Sequence, residues 1–148
     1  MTDGTHQASA AQVLAVEDNP GDVRLLEEGV GAADASLELH VCNNGRLAIE
    51  RLTGDGGPAP DHPDLVLLDL NLPGKSGLEV LQAIRDDTQF DTVPVIVVSS
   101  SENPDDVRGV YEHAANAYVT KPADPDEYIE AVAAAVQFWI PGVTETDD

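Results

Sequence analysis

Three carboxylates, one hydroxyl and one lysine stand where short apolar runs end. Glu17-Asp18 follows Gln12–Val16, Asp69 follows Leu65–Leu68, Ser99 follows Val95–Val98, and Lys121-Pro122 follows Ala117–Thr120. Carboxylates gathered on one rim repel and raise one another's pKa. A divalent cation relieves that repulsion, and oxygen ligands suit Mg²⁺, which takes one or two carboxylates together with water and phosphate. Lys121 offers a compact positive charge for a phosphate oxygen, and Ser99 offers a hydrogen-bond donor. A carboxylate nucleophile in such a setting can accept a phosphoryl group as an aspartyl phosphate. Cation and ammonium then neutralise charge on the equatorial oxygens.

For these residues to meet, the runs that carry them must be neighbouring strands. Those four runs and Leu37–Cys42 have strand length, and three are nearly continuous in Val, Ile and Leu. Continuous apolar runs belong to strands buried on both faces, as in a parallel sheet covered by helices. The intervening segments read as helices. Pro20 opens the first, with Val23, Leu26 and Val30 inward, and Asn44 caps the second, with Leu47, Ile49 and Leu52 inward. Ser76 and Glu79 form a capping box ahead of the stripe Leu78, Leu81 and Ile84. Asn103-Pro104 and Asp124-Pro125 set a capping side chain before a proline at the first helical position. The last helix carries Ile129, Val132, Ala133, Val136 and Ile140 on one face. The order is (βα)₅, an open doubly wound α/β domain, in which ligands bind beyond the carboxyl ends of the strands.

The chain has 148 residues, with Lys+Arg 7 against Asp+Glu 28 and a formal charge of −21. That length predicts one domain over 12–140, a polar tail over 1–11 and an acidic tail over 141–148. The loop Gly54–Pro63 is rich in Gly, Pro and Asp. A charge of −21 repels nucleic-acid phosphate and anionic membrane. No apolar run approaches the ~20 residues of a membrane span, and the start of the chain has no secretory pattern. The single Cys42 has no disulfide partner. A soluble, cytoplasmic protein is expected. Self-repulsion of this size is screened at ~1 M salt, so the acidity points to a salt-adapted, haloarchaeal kind of cytoplasm.

The pattern resembles the receiver domain of two-component response regulators from Gln12 to Ile140. The motifs are Val16-Glu17-Asp18-Asn19, Leu67-Leu68-Asp69-Leu70-Asn71-Leu72-Pro73 with Gly77, Val97-Val98-Ser99, and Tyr118-Val119-Thr120-Lys121-Pro122. Glu17 through Arg24, Ala115-Asn116-Ala117-Tyr118 and Gln137-Phe138-Trp139 are similar, more narrowly, to stand-alone receivers that partner cyanobacterial phytochromes. The resemblance implies a CheY-like sheet of order 2-1-3-4-5. It implies Asp69 as phosphoacceptor and Mg²⁺ held by Glu17, Asp18, Asp69 and the Asn71 carbonyl, with Asp18 more direct than Glu17. It further implies that Ser99 and Lys121 contact the phosphoryl group, that Ser99 and Tyr118 form the switch, and that Lys121-Pro122 is cis. A sensor histidine kinase would be the donor, and output would be a protein–protein contact or relay. Ser100 stands where the family commonly has Ala, and Ala123 where it has Phe. Asn71 and Ser101 occupy the positions that, in that family, set the dephosphorylation rate.

Two rival readings stand beside this one. A haloacid-dehalogenase-type phosphatase also has an Asp nucleophile and Mg²⁺, but wants a second Asp where this chain has Asn71. A flavin carrier would need a phosphate-cradling loop where Glu17-Asp18 would repel the phosphate. His6, His40, His62 and His113 lack metal-site spacing and read as structural or exposed. Tyr128 and Trp139 fall about 20° apart around a helix, so they are expected to share a flank that could anchor a homodimer.

Overall fold

A computed structural model describes residues 11–34, 36–53, 63–72, 74, 76–86, 92–100 and 103–140. The expected tails apart from Ala11, most of the Gly54–Pro63 loop, Pro73, Ser101, His6 and His62 lie outside the described residues. Strands and helices alternate as β1 (Gln12–Val16), α1 (Pro20–Ala33), β2 (Glu38–Cys42), α2 (Gly45–Thr53), β3 (Leu65–Leu68), α3 (Gly77–Asp86), β4 (Val95–Ser99), α4 (Pro104–Glu112), β5 (Ala117–Thr120) and α5 (Pro125–Trp139). The strands form one sheet in the order β2-β1-β3-β4-β5, and every pair is parallel. Parallel neighbours need crossovers, and the helices supply them on both faces.

Alternation along the strands sorts side chains between two cores. Leu14, Val16, Val66, Leu68, Val95 and Val97 pack with residues of α2, α3 and α4. Val13, Ala15, Leu65, Leu67, Ile96 and Val98 pack with Leu26 and Val30 of α1 and with Tyr128, Val132 and Val136 of α5. Both faces are therefore dry, which is why these strands read as unbroken apolar runs.

The helix starts are made as expected. Asn44 Oδ1 accepts from Leu47 N at 2.8 Å. Ser76 N donates to Glu79 Oε1 at 2.8 Å and Glu79 N donates to Ser76 Oγ at 3.2 Å, closing the capping box. Asn103 and Asp124 accept from the backbone two residues ahead, each before its proline. Strand ends shift by one residue. Leu37 N turns back to Asp34 O, so β2 begins at Glu38, while Ser99 pairs in register with Thr120 and so extends β4.

Three helical stripes differ from the expectation. Leu47 is 43% exposed, and α2 buries Ala48 and Leu52 instead. On α3 Val80 joins Leu81 and Ile84 inside, while Leu78 only packs against the edge of the core. On α5 the buried line is Tyr128, Val132, Val136 and Ile140, with Ile129 only partly covered. The physical reason is the second helix in each layer. A helix seated against both a sheet and a neighbouring helix is rotated by both contacts, and periodicity alone does not see the neighbour. For α5 that neighbour is α1, at Gly29, where a Cβ would lie 2.6 Å from the Val132 Cβ. Tyr128 is thus core and not an exposed flank. The exposed aromatic of α5 is Phe138, at 77%, set edge to face against Trp139 with ring centroids 5.2 Å apart.

Candidate functional site

Each chemical residue is placed by backbone bonds that carry the sheet ladder one step past its strand. Glu17 N donates to Cys42 O at 2.9 Å, Asp69 N to Val16 O at 3.1 Å, and Lys121 N to Ser99 O at 2.8 Å. Neighbouring strands therefore fix the three backbones at one height on the carboxyl rim. Asn19 Oδ1 accepts from Gly21 N and Asp22 N at 2.9 and 3.1 Å, starting α1 directly beside the rim. On the other side α3 starts against the Asp69 loop, with Gly77 N donating to Leu70 O at 3.0 Å. A Cβ on Gly77 would run into the Asp69 carbonyl and the Leu70 Cα, so that approach requires glycine.

The side chains converge as the sequence predicts. One carboxylate oxygen from each of Glu17, Asp18 and Asp69 lies within 4.8 Å of the others. Glu17 and Asp69 are buried, at 2% and 6% exposure, while Asp18 faces solvent. Asn71 N donates to Asp69 Oδ1 at 3.2 Å, which turns the loop so that Asn71 edges the same open cavity of about 430 Å³. Hard oxygen donors of this charge and spread fit Mg²⁺.

Lys121 is the counter-charge. Its Nζ donates to Asp22 Oδ2 at 2.7 Å and to Glu17 Oε1 at 2.9 Å, and reaches Asp69 Oδ2 at 3.5 Å. Burial pushes the Glu17 carboxyl up to about 7 against the pull of the Lys121 hydrogen bond, and the Asp69 charge adds to the rise. Burial works against the Lys121 charge too, but the hydrogen bonds to Asp22 and Glu17 outweigh it and hold the ammonium above the ordinary lysine value.

The remaining expected residues do not line the cavity. Ser99 is fully buried at the end of β4, and the serine that edges the cavity is Ser100. Tyr118 is half-buried on β5, packed against the α2–α3–α4 core. Among the described residues no peptide is cis, so Lys121–Pro122 is trans, against expectation. Trans remains the default even for X–Pro, by about 0.5–1 kcal/mol, and here it already brings Nζ to three carboxylates. His40 Nε2 donates to Gln12 Oε1 at 2.7 Å and His113 Nδ1 to Gly109 O at 2.8 Å, both structural. Cys42 is buried, and burial pushes its thiol up.

Asp22 was not among the expected site residues. It stands four residues after Asp18, in the first turn of α1. One helical turn after a strand end brings a side chain back over that end, and this spacing was the available signal.

The response regulator receiver domain profile matches residues 13–133. Response regulator Rcp1 of Synechocystis sp. is 36% identical over 133 residues, covering 89% of this chain and 90% of its own. A crystal structure of the phosphorylated cyanobacterial phytochrome response regulator RcpA superposes with a TM-score of 0.85 at 36% identity, covering 93% of this chain and 98% of that one. The Mn²⁺-bound form of Rcp1 gives a TM-score of 0.80 at 34% identity, covering 93% and 99%. A match across the whole sheet, with an acidic cluster at the carboxyl rim, identifies the family: this chain is a response regulator receiver domain.

Proposed function

We propose that Asp69 accepts a phosphoryl group from the phosphohistidine of a partner sensor histidine kinase in the cytoplasm, in a Mg²⁺-dependent reaction. The observation that carries this is the Asp69 carboxylate itself, nearly buried between the Glu17–Asp18 pair and the Lys121 ammonium. An Asp69 oxygen attacks phosphorus, the phosphorus–nitrogen bond breaks, and the departing imidazole nitrogen keeps the electron pair and takes up a proton. Mg²⁺, held by Glu17, Asp18, Asp69 and the Asn71 carbonyl, would neutralise charge on the phosphoryl oxygens. Lys121 pairs with one of those oxygens, and Ser99 turns its hydroxyl toward another as Tyr118 repacks. The phosphoryl group is the local charge event, and the repacking it drives biases the α4–β5–α5 face.

The receiver spans 12–140, and its output is a protein contact or a phosphoryl relay. The exposed Phe138 beside Trp139 supports a symmetric homodimer as one such contact. Response regulators of this family are signalling proteins, and nothing supports the phosphatase rival.

Incubation with acetyl phosphate and Mg²⁺ tests the reading by mass spectrometry of the intact chain. The parent should gain one phosphoryl group, and Asp69→Asn none, because an amide is no nucleophile here. A stable adduct on the variant, or sustained turnover of a generic phosphomonoester by the parent, would falsify it.

A further inference from the structure

Three carboxylates lie within reach of the Lys121 ammonium, and the distances rank them. Nζ is 2.7 Å from Asp22 Oδ2, 2.9 Å from Glu17 Oε1 and 3.5 Å from Asp69 Oδ2. The shortest contact goes neither to the phosphoacceptor nor to any member of the Glu17–Asp18–Asp69 cluster. Asp22 is also set in place locally. Its own N–H is held by the cap Asn19, which fixes the first turn of α1 with the carboxylate beside the rim.

A phosphoryl group on Asp69 brings three new acceptor oxygens, and Nζ, drawn off to 3.5 Å from Asp69 Oδ2 by its two short contacts, closes on one of those oxygens by loosening one of the two. The two short contacts differ in what release costs. The Glu17 side chain is only 2% exposed, so an abandoned carboxylate there has little water to replace the ammonium. The Asp22 side chain is 26% exposed and rehydrates more readily. Release from Asp22 is therefore the cheaper exchange.

We propose that Asp22 is a positioning residue that holds Lys121 on the α1 side of the rim until phosphoryl transfer, when the Asp22–Lys121 contact is exchanged for one to a phosphoryl oxygen. The proposal rests on Asp69 being the phosphoacceptor. Asp22 then competes with the phosphoryl group for the lysine. The Asp22 carboxylate is a brake on acceptance and a pull toward the resting state.

The test compares the parent with Asp22→Asn and Asp22→Glu in two measurements. One is the rate of phosphorylation by acetyl phosphate in Mg²⁺, and the other is the affinity for beryllofluoride, a phosphoryl mimic. Asp22→Asn should raise both by about two- to fivefold, the worth of one partly exposed ion pair. Asp22→Glu, which keeps the charge, should stay near the parent. In a Lys121→Gln background Asp22→Asn should leave beryllofluoride affinity unchanged, because Asp22 acts through the lysine. An unchanged or slower Asp22→Asn single variant overturns the proposal. So does an equal gain without Lys121, since Asp22 would then be only a source of field. A parent that takes up no phosphoryl group overturns the phosphoacceptor reading itself, and so is distinguished from a failure at Asp22.

Discussion

At the cavity Lys121 answers four carboxylates, Glu17, Asp18, Asp22 and Asp69. Such an excess of negative charge is unfavourable to the fold alone, and its sense lies in the cation and the phosphoryl chemistry it accommodates. Beneath the rim lies another polar group with a cost. The Tyr128 side chain is buried, and its hydroxyl has no hydrogen-bond partner among the described residues. Burial pushes that phenol well above the usual tyrosine value, so it stays neutral. A buried hydroxyl left unpaired costs about 1–3 kcal/mol, while the ring itself fills the core. Tyr128→Phe should therefore stabilise the domain by about 1 kcal/mol in urea unfolding. A loss of that size would mean that the hydroxyl is satisfied in solution.

Among the elements, the α1–α5 pair covers one face of the sheet, and the two helices meet tightly at Gly29. A methyl there would meet Val132 at 2.6 Å, whereas nothing lies within 4 Å of the Cβ position on Gly31. Both glycines are inside α1, where alanine is intrinsically better by up to about 1 kcal/mol. Overpacking a tight contact costs about 1–3 kcal/mol. Gly31→Ala should thus stabilise and Gly29→Ala destabilise, the latter by about 1–2 kcal/mol net. Thermal melts of the two variants should move in opposite directions. If both rise, the helices can separate freely and the packing described here is looser than its distances imply.

For the whole molecule, the governing quantity is the charge of −21. Repulsion between subunits of this charge opposes any dimer until the Debye length falls to a few ångström. Phe138, exposed at the end of α5 beside Trp139, is the most exposed large apolar side chain among the described residues and is available to a second copy. Sedimentation at about 100 µM protein should show a monomer at ~0.1 M KCl and a dimer at ~2 M KCl, where charge is screened. Phe138→Ala should remain monomeric at both. A parent that stays monomeric in high salt would leave Phe138 without this role.

Much of this architecture is written locally in the chain. Continuous apolar runs have only a two-sided parallel sheet to fill, and Asn44, Ser76–Glu79, Asn103 and Asp124 mark helix starts through bonds that span three residues or fewer. The residues at the strand ends followed, because a parallel sheet delivers every strand's last residue to the same rim. Glu17, Asp18, Asp69 and Lys121 were legible for that reason. Other properties depend on what lies across the fold. Leu47 is exposed, Tyr128 is buried, and Ser100 rather than Ser99 edges the cavity, because the packing of each helix and strand end is set by neighbours distant in sequence. The Lys121–Pro122 peptide is trans, which no local pattern specifies. The choice of Asp22 as the nearest partner of Lys121 bridges 99 residues, and only the tertiary structure brings that pair together.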